Sequence, residues 1–335
     1  MRPPPMPPMT ARCPDDLLAM VPITLGFTPA DSVAMLTFGA THPFHARVDL
    51  PTRKDQVPDV VGSLVEPAER NGVRRVVLVL YTEDEAMAGR TWRGLRDGFR
   101  HAGVTVLEAI RADGRRWFPL LGGDRLAAEL GVPYDVGSHP FLVQAVLTGR
   151  VTLGDRDELA GTLRPVPQQV AEVAAALEHR PLPGSSATPP ADELLLREGE
   201  WTELLVEHLV AQARAPEADD VARLLRGLVL LRVRDAAWQT ITADNAEDHV
   251  AWWTAVLRRT PPELGVPVAT LLAWSAWQAG HGALAWCALD VALAIDPDYA
   301  LAGHLGLLLT QAVPPSVWAE GPPPEDWWVG LRDAA

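Results

Sequence analysis

The sequence predicts an α/β domain over residues 1–185, with a mixed, mainly parallel sheet and marginal hairpins, followed by an all-α domain over 186–335. Three observations lead there. Apolar, β-branched runs alternate with helix-compatible stretches through the first 120 residues. Residues Arg180–Pro190 read RPLPGSSATPP, rich in Pro, Gly and Ser, and mark a linker. Beyond the linker only helical periodicity remains. A chain of 335 residues also exceeds one ordinary hydrophobic core.

Pro14-Asp15-Asp16-Leu17-Leu18 reads as a helix start with acids in its first turn, and Val21–Pro29 reads as a loop. Ser32–Phe38 and Phe44–Leu50 suit two strands joined by a turn at Gly39–Pro43. Asp55–Arg70 is helix-compatible. Arg75–Tyr81 is the strongest strand pattern, continuous and β-branched, as befits burial on both faces. Thr82 and Glu85 have capping-box spacing for a helix to His101, which Gly103 ends. Val104–Arg111 and Arg115–Leu120 complete the strands around the Asp113-Gly114 turn. The order β-β-α-β-α-β-β places crossovers in the centre and hairpins at the margins. Short helices follow at Ser138–Thr148, Asp155–Gly161 and Pro167–His179.

In the second half, helices are expected at Asp192–Ala213, Ala218–Thr240, Ala246–Arg259, Val266–Ala279, Ala283–Ile295 and Tyr299–Val313. The stretch Leu264–Leu289 carries no charged side chain and is long enough to span a bilayer. Pro267, Gln278 and Gly280-His281-Gly282 interrupt it, so the expectation is two short helices buried on all sides and no membrane span. Leu272, Ala273, Ala276, Gly280, Ala285, Leu289, Ala292 and Pro297 follow a tetratricopeptide-like pattern of small residues, a tight turn and a terminal Pro. No second copy follows, so the prediction is a tetratricopeptide-like domain and not an array.

Composition excludes several chemistries. The net charge is −14, against the basic excess of a nucleic-acid reader. Arg90, Arg93, Arg96 and Arg100 align along one helix and read as a solvated face. Only Lys54 is lysine among 29 basic residues, and Asp55 follows it, so there is no Walker A loop. Two cysteines, Cys13 and Cys287, make neither a disulfide scaffold nor a thiolate zinc site. The start, MRPPPMPPMT, has no apolar signal region, which predicts a cytoplasmic protein.

No standard catalytic string occurs, and the sequence leaves any cofactor open. Asp31, Ser32, Arg47 and Asp49 form a candidate polar pocket: an arginine can hold a carboxylate or phosphate, and an aspartate can serve as base or ligand. An ion pair at a sheet margin is the plainer reading of Arg47 and Asp49. Asp135, Ser138 and His139 crowd together, but triads come from distant loops, and Ser138 suits a helix N-cap before Pro140. His42 and His45 are too few for a metal site, and none is predicted. Ten of the twelve tryptophans follow residue 200. Trp252, Trp274 and Trp277 are candidates for a groove that captures a protein or peptide; the plainer reading has such rings filling gaps between Ala-rich helices. The tail from Glu320 to Trp328 joins a Pro run to two tryptophans and could dock in cis or on a partner.

Several segments together resemble a known family: Pro14–Leu18, Pro22 with Leu25–Pro29, Ser32-Val33, Arg47 with Asp49-Leu50, Arg75–Tyr81 and Gly114–Trp117. Ala273-Trp274, Gly280, Gly282–Ala285, Ala288-Leu289, Ala292-Leu293 and Asp296-Pro297 continue the match. The chain resembles the actinobacterial domain-of-unknown-function family 4192. That resemblance implies no established activity and carries over no catalytic residue. Many relatives have a cysteine cluster after the Arg-Trp motif; Trp117–Asp124 has none, so a metal or redox role tied to it does not transfer. The sequence therefore reads foremost as an interaction module with a polar pocket. The alternative is an enzyme at the strand ends near Tyr81–Asp84 and Arg111, with Asp84 and Glu85 able to take Mg²⁺ for phosphate or carboxylate chemistry.

Overall fold

A computed structural model describes residues 9–40, 44–179 and 192–319. The expected linker Arg180–Pro190, His42 and the Pro/Trp tail lie outside the described residues. Contacts divide the chain into two compact units, Met1–Leu159 with Thr310–Pro314, and Ala160–Leu309 with Pro315–Ala335.

The first unit opens with α1 (Pro14–Leu25). The helix runs straight through the expected loop at Val21, despite Pro22. Leu17–Ile23 are all buried, and that apolar burial outweighs the hydrogen bond Pro22 cannot donate. Gly26, at φ +83°, closes it by donating to the Pro22 carbonyl at 2.8 Å. Then follow β1 (Ser32–Phe38), β2 (His45–Asp49), α2 (Val57–Arg70), β3 (Arg75–Tyr81), α3 (Glu85–His101), β4 (Thr105–Ala112) and β5 (Arg116–Pro119). Two elements were not anticipated, α4 (Arg125–Leu130) and the two-residue β6 (Val132–Pro133). Next come α5 (Pro140–Leu147) and α6 (Arg156–Gly161), at the edge of the second unit.

The six strands form one mixed sheet in the order β2-β1-β3-β4-β5-β6. Only β3 and β4 pair in parallel; the other four ladders are antiparallel, which corrects the mainly parallel expectation. The reason is that β1 inserts between β2 and β3, so the β2–α2–β3 crossover skips a strand. One face packs Val33, Met35, Leu78 and Leu80 against Leu64 of α2 and Trp92, Leu95 and Phe99 of α3. The other packs Ala34, Val79, Tyr81 and Ile110 against Leu17, Leu18 and Val21 of α1, with Phe141 of α5 beside them.

The second unit is helical: α7 (Pro167–Glu178), α8 (Asp192–Ala211), α9 (Ala218–Leu228), α10 (Leu231–Gln239), α11 (Ala246–Leu257), α12 (Gly265–Gln278), α13 (Gly282–Ile295), α14 (Ala300–Thr310) and α15 (Ser316–Ala319). α7, expected in the first domain, falls here because it packs on α9. The single helix expected over Ala218–Thr240 breaks at Leu230, whose extended backbone starts α10. The break lets Val233 pack on Gly227, where a Cβ would meet it at 2.8 Å. Arg223 of α9 reaches Glu198 of α8 (Nε–Oε2 3.0 Å) and lies over the Trp201 ring at 4.0 Å. No helix among the described residues is long and apolar enough to cross a membrane. The uncharged stretch forms α12 and α13, with Gly280 (φ +80°) in the turn. Ala269, Ala273, Ala276, Ala285, Ala288 and Ala292 are fully buried, which lets the two helices approach closely. α12 is buried nearly all round, whereas α13 buries one face.

Candidate functional site

β3 and β4 end side by side, with Tyr81 opposite Ala112. Because β1 is antiparallel to β3, it starts at the same edge: Ser32 lies opposite Tyr81 on one side and Asp49 of β2 on the other. Trp117 of β5 lies opposite Ala112. One register row, Asp49–Ser32–Tyr81–Ala112–Trp117, thus crosses the carboxyl edge of the parallel pair, where open α/β sheets take ligands.

All four expected pocket residues lie at this edge. Arg47 pairs with Asp49 (Nη1–Oδ1 2.6 Å) and approaches the Ala30 carbonyl (3.4 Å). The Arg47 side chain is 18% exposed and that of Asp49 81%, so water weakens the pair. Asp31 turns elsewhere. Its backbone takes φ +39°, a left-handed conformation that Asp tolerates better than most residues. Its Oδ1 accepts from the Thr82 hydroxyl at 3.1 Å, and Thr82 Oγ1 accepts from Asp84 N at 3.1 Å. Asp84, not Thr82, caps α3, its Oδ1 accepting from Met87 N at 2.8 Å. This corrects the expected Thr82–Glu85 capping box and commits Asp84, a possible Mg²⁺ ligand, to the helix.

Three polar atoms of the row, Ser32 Oγ, Tyr81 OH and Trp117 Nε1, are buried with no partner among the described residues, and so is Arg47 Nε. Such atoms are rare because each forfeits its hydrogen bond to water. Burial, reinforced by nearby Tyr134, pushes the Tyr81 phenol far above its ordinary range, so it stays protonated and able to donate.

Above the edge, Glu83, Asp113 and Arg115 line a depression of about 350 Å³. Burial alone would raise the Asp113 pKa. The backbone N–H groups of Arg116 and Arg115, and the charges of Arg111 and Arg116, hold it below the ordinary carboxylate value instead. Asp113 is therefore an anion and a poor proton donor. Arg111 is 6% exposed, donates to the Thr82 carbonyl (3.3 Å) and lies over the Phe118 ring at 3.8 Å. Sequence reasoning took Asp113 as a turn residue and Arg115 as the start of the next strand, and it named Tyr81 and Glu83 at the enzyme alternative's strand edge without assigning the Tyr81 hydroxyl a role. The apolar pattern of β3 hides the hydroxyl.

The other motifs resolve structurally. His139, not Ser138, caps α5: its Nδ1 accepts from Phe141 N at 3.2 Å, and its Nε2 bonds Asp16 Oδ1 at 3.2 Å. With both nitrogens engaged, it has none left to activate a nucleophile. His45 Nδ1 accepts weakly from Thr37 N at 3.4 Å. Among the described residues no group of three His, Cys, Asp or Glu side chains is placed to hold a metal. On α3, Arg93, Arg96 and Arg100 face solvent, and Asp97 pairs with the last two.

The expected groove rings are packed inside the helical unit. Trp252, Trp274 and Trp277 are 4, 3 and 4% exposed. Trp252 meets Trp253 edge-on at 4.7 Å, and Trp274 meets Trp277 at 4.9 Å. These three rings are thus largely covered by their neighbours in the helical unit. Exposed apolar side chains occur in both units: Leu204, Leu231 and Leu307 in the helical one, and in the first Leu126 and Leu130 on α4, Val143, Val146 (69%) and Leu147 (73%) on α5, and Val151. The i, i+3, i+4 spacing on α5 makes a solvent-facing stripe.

A sheet with a polar carboxyl edge, together with a tryptophan-rich helical unit, defines a two-unit α/β and helical protein, with no group of three His, Cys, Asp or Glu placed to hold a metal among the described residues. The chain belongs to the family described as domain of unknown function (DUF4192), whose model matches residues 14–316. No curated protein and no solved structure matches it.

Proposed function

We propose that the protein is a cytoplasmic protein- or peptide-interaction module whose α/β unit carries a polar pocket at Asp31, Ser32, Arg47 and Asp49. The single observation that carries this reading is the apolar stripe of α5, Val143, Val146 and Leu147, left in solvent on a helix whose Ala145 is buried. A contiguous exposed apolar surface of this kind is characteristic of partner sites. The net charge of −14 favours a protein partner over nucleic acid. The tetratricopeptide-like reading of the helical unit is supported by the α12–α13 hairpin and its buried alanines.

The test is affinity capture with the full chain and with the double variant V146E/L147E. The native chain retains a protein that the variant loses, with both giving the same circular dichroism and unfolding midpoint. Equal recovery by both, or no partner for either, refutes the reading.

A second reading, an enzyme of carboxylate or phosphate chemistry, is favoured by one observation: buried Arg111 makes no ion pair among the described residues and lies beside Thr82 at the sheet edge. Isothermal titration with inorganic phosphate and acetate tests it. Binding that Arg111→Met abolishes supports it, and no heat from either anion removes it.

A further inference from the structure

We propose that Trp238 and Trp274 form a socket for a tryptophan side chain carried on a proline-led peptide, and that this chain occupies its own socket with Trp318. The segment holding Trp318 reads Val313-Pro314-Pro315-Ser316-Val317-Trp318-Ala319, and its only regular structure is the four-residue α15. A single turn has no stability of its own in water. Three rings close on one another around it. Trp318 lies 5.2 Å from Trp238 and 5.1 Å from Trp274, centroid to centroid, and those two are 5.0 Å apart. Trp277 backs the group at 4.9 Å from Trp274. The Trp274 pairs with Trp238 and Trp318 are edge-to-face, at 80° and 82°, the geometry aromatic rings prefer.

The members differ in status. Trp274 sits on α12 inside the core, whereas Trp318 is 47% exposed. The socket is thus part of the rigid unit, and its occupant is a surface segment. The fit is also incomplete: Trp238 Nε1 is buried with no acceptor among the described residues, and an indole ring offers none. A peptide that brings its own carbonyl to that N–H satisfies what Trp318 leaves open. Pro314 and Pro315 restrict the backbone before docking, which lowers the ordering cost for this segment and for any peptide of the same kind. The occupant in trans is therefore a peptide with prolines ahead of a tryptophan, competing with residues 313–319 for the same place. The socket belongs to the second unit and the α5 stripe to the first, so either proposal can fail without the other.

The experiment uses the full chain and a fluorescently labelled synthetic peptide with the sequence of residues 313–319, followed by anisotropy. W318A vacates the socket and binds the peptide at least ten-fold more tightly than the native chain; a peptide with Ala replacing its Trp does not bind. Equal binding by native chain and W318A, or none by a folded W318A, overturns the proposal. If W318A does not fold, hydrogen exchange on the native chain with excess peptide decides. Faster exchange at amides 316–319, with α10 and α12 unchanged, supports the socket; unchanged exchange at 316–319 refutes it.

Discussion

Lowering the pH from 7 to 4.5 should weaken the helical unit through His249. This residue sits buried on α11, and burial holds its imidazole pKa at about 4 against the ordinary 6.5. The hydrogen bond to the Thr240 backbone and the Asp248 charge offset the burial only in part. The native state prefers the neutral ring, so below pH 6.5 the unfolded chain binds a proton that the folded one refuses, and stability falls with pH until about 4. At pH 4.5 the unfolded imidazole is almost fully charged and the native one mostly neutral. The difference amounts to about 2.5 kcal/mol lost relative to pH 7. Urea unfolding followed by tryptophan fluorescence at both pH values measures it, since Trp252 and Trp253 lie on the same helix. Each protein is compared with itself, so H249Q need only fold; it should lose about 2 kcal/mol less than the native chain over this range. An equal loss in both proteins would show that His249 is not the group responsible.

Five further outcomes follow from the same geometry. Tyr81→Phe removes a buried hydroxyl with no partner among the described residues and should raise stability by about 1 kcal/mol in urea; a loss of that size would mean the hydroxyl is bonded. His139→Ala removes the α5 cap and the tie to Asp16, and should cost about 1–2 kcal/mol by the same assay. Burial opposes it, but the Arg12 N–H, the Cys13 thiol and N–H, and His139 hold the Asp16 pKa below its ordinary 3.8. Its stabilisation is complete above that value and fades as pH falls through the lowered one, so Asp16→Asn should flatten acid unfolding only below about pH 4. Gly131→Ala puts a Cβ 2.6 Å from Phe118 Cε1 at φ +67° and should lower the unfolding midpoint, by about 2 kcal/mol or more in free energy. Trp252→Ala should cost about 3–5 kcal/mol, as for a core ring; a groove ring would leave stability unchanged.

The longer strands were legible from their own local apolar patterns, whereas the two-residue β6 carries none. Ser32–Phe38 and Arg75–Tyr81 fall where the β-branched runs place them. What the period cannot carry is the partner of a strand. The insertion of β1 between β2 and β3 is set by long-range pairing, so strand direction was misread. α4 escaped because six residues capped by Asp124 leave no periodic signal. Pro22 and Leu230 misled in opposite senses. Local rules break a helix at Pro22, where burial on the sheet sustains it, and continue one through Leu230, where packing of Val233 on Gly227 ends it. The pocket residues were legible as a pair of i, i+2 side chains on β2 opposite the start of β1. The Asp31–Thr82–Asp84 chain was not, because its members come together only when β3 ends beside β1. Burial of Trp252, Trp274 and Trp277 between Ala-rich helices was the plainer reading of the sequence, but which rings meet was not legible, because those contacts form only when the helices pack.

The proposed function rests on a protein partner docking at the α5 stripe of Val143, Val146 and Leu147. A photo-crosslinking amino acid placed at Leu147, and as a control at Leu107, which is exposed on β4, tests this directly in cells expressing the full chain. The account predicts a discrete crosslinked protein product from position 147 and none from position 107. Products from both positions alike, or from neither, would contradict it.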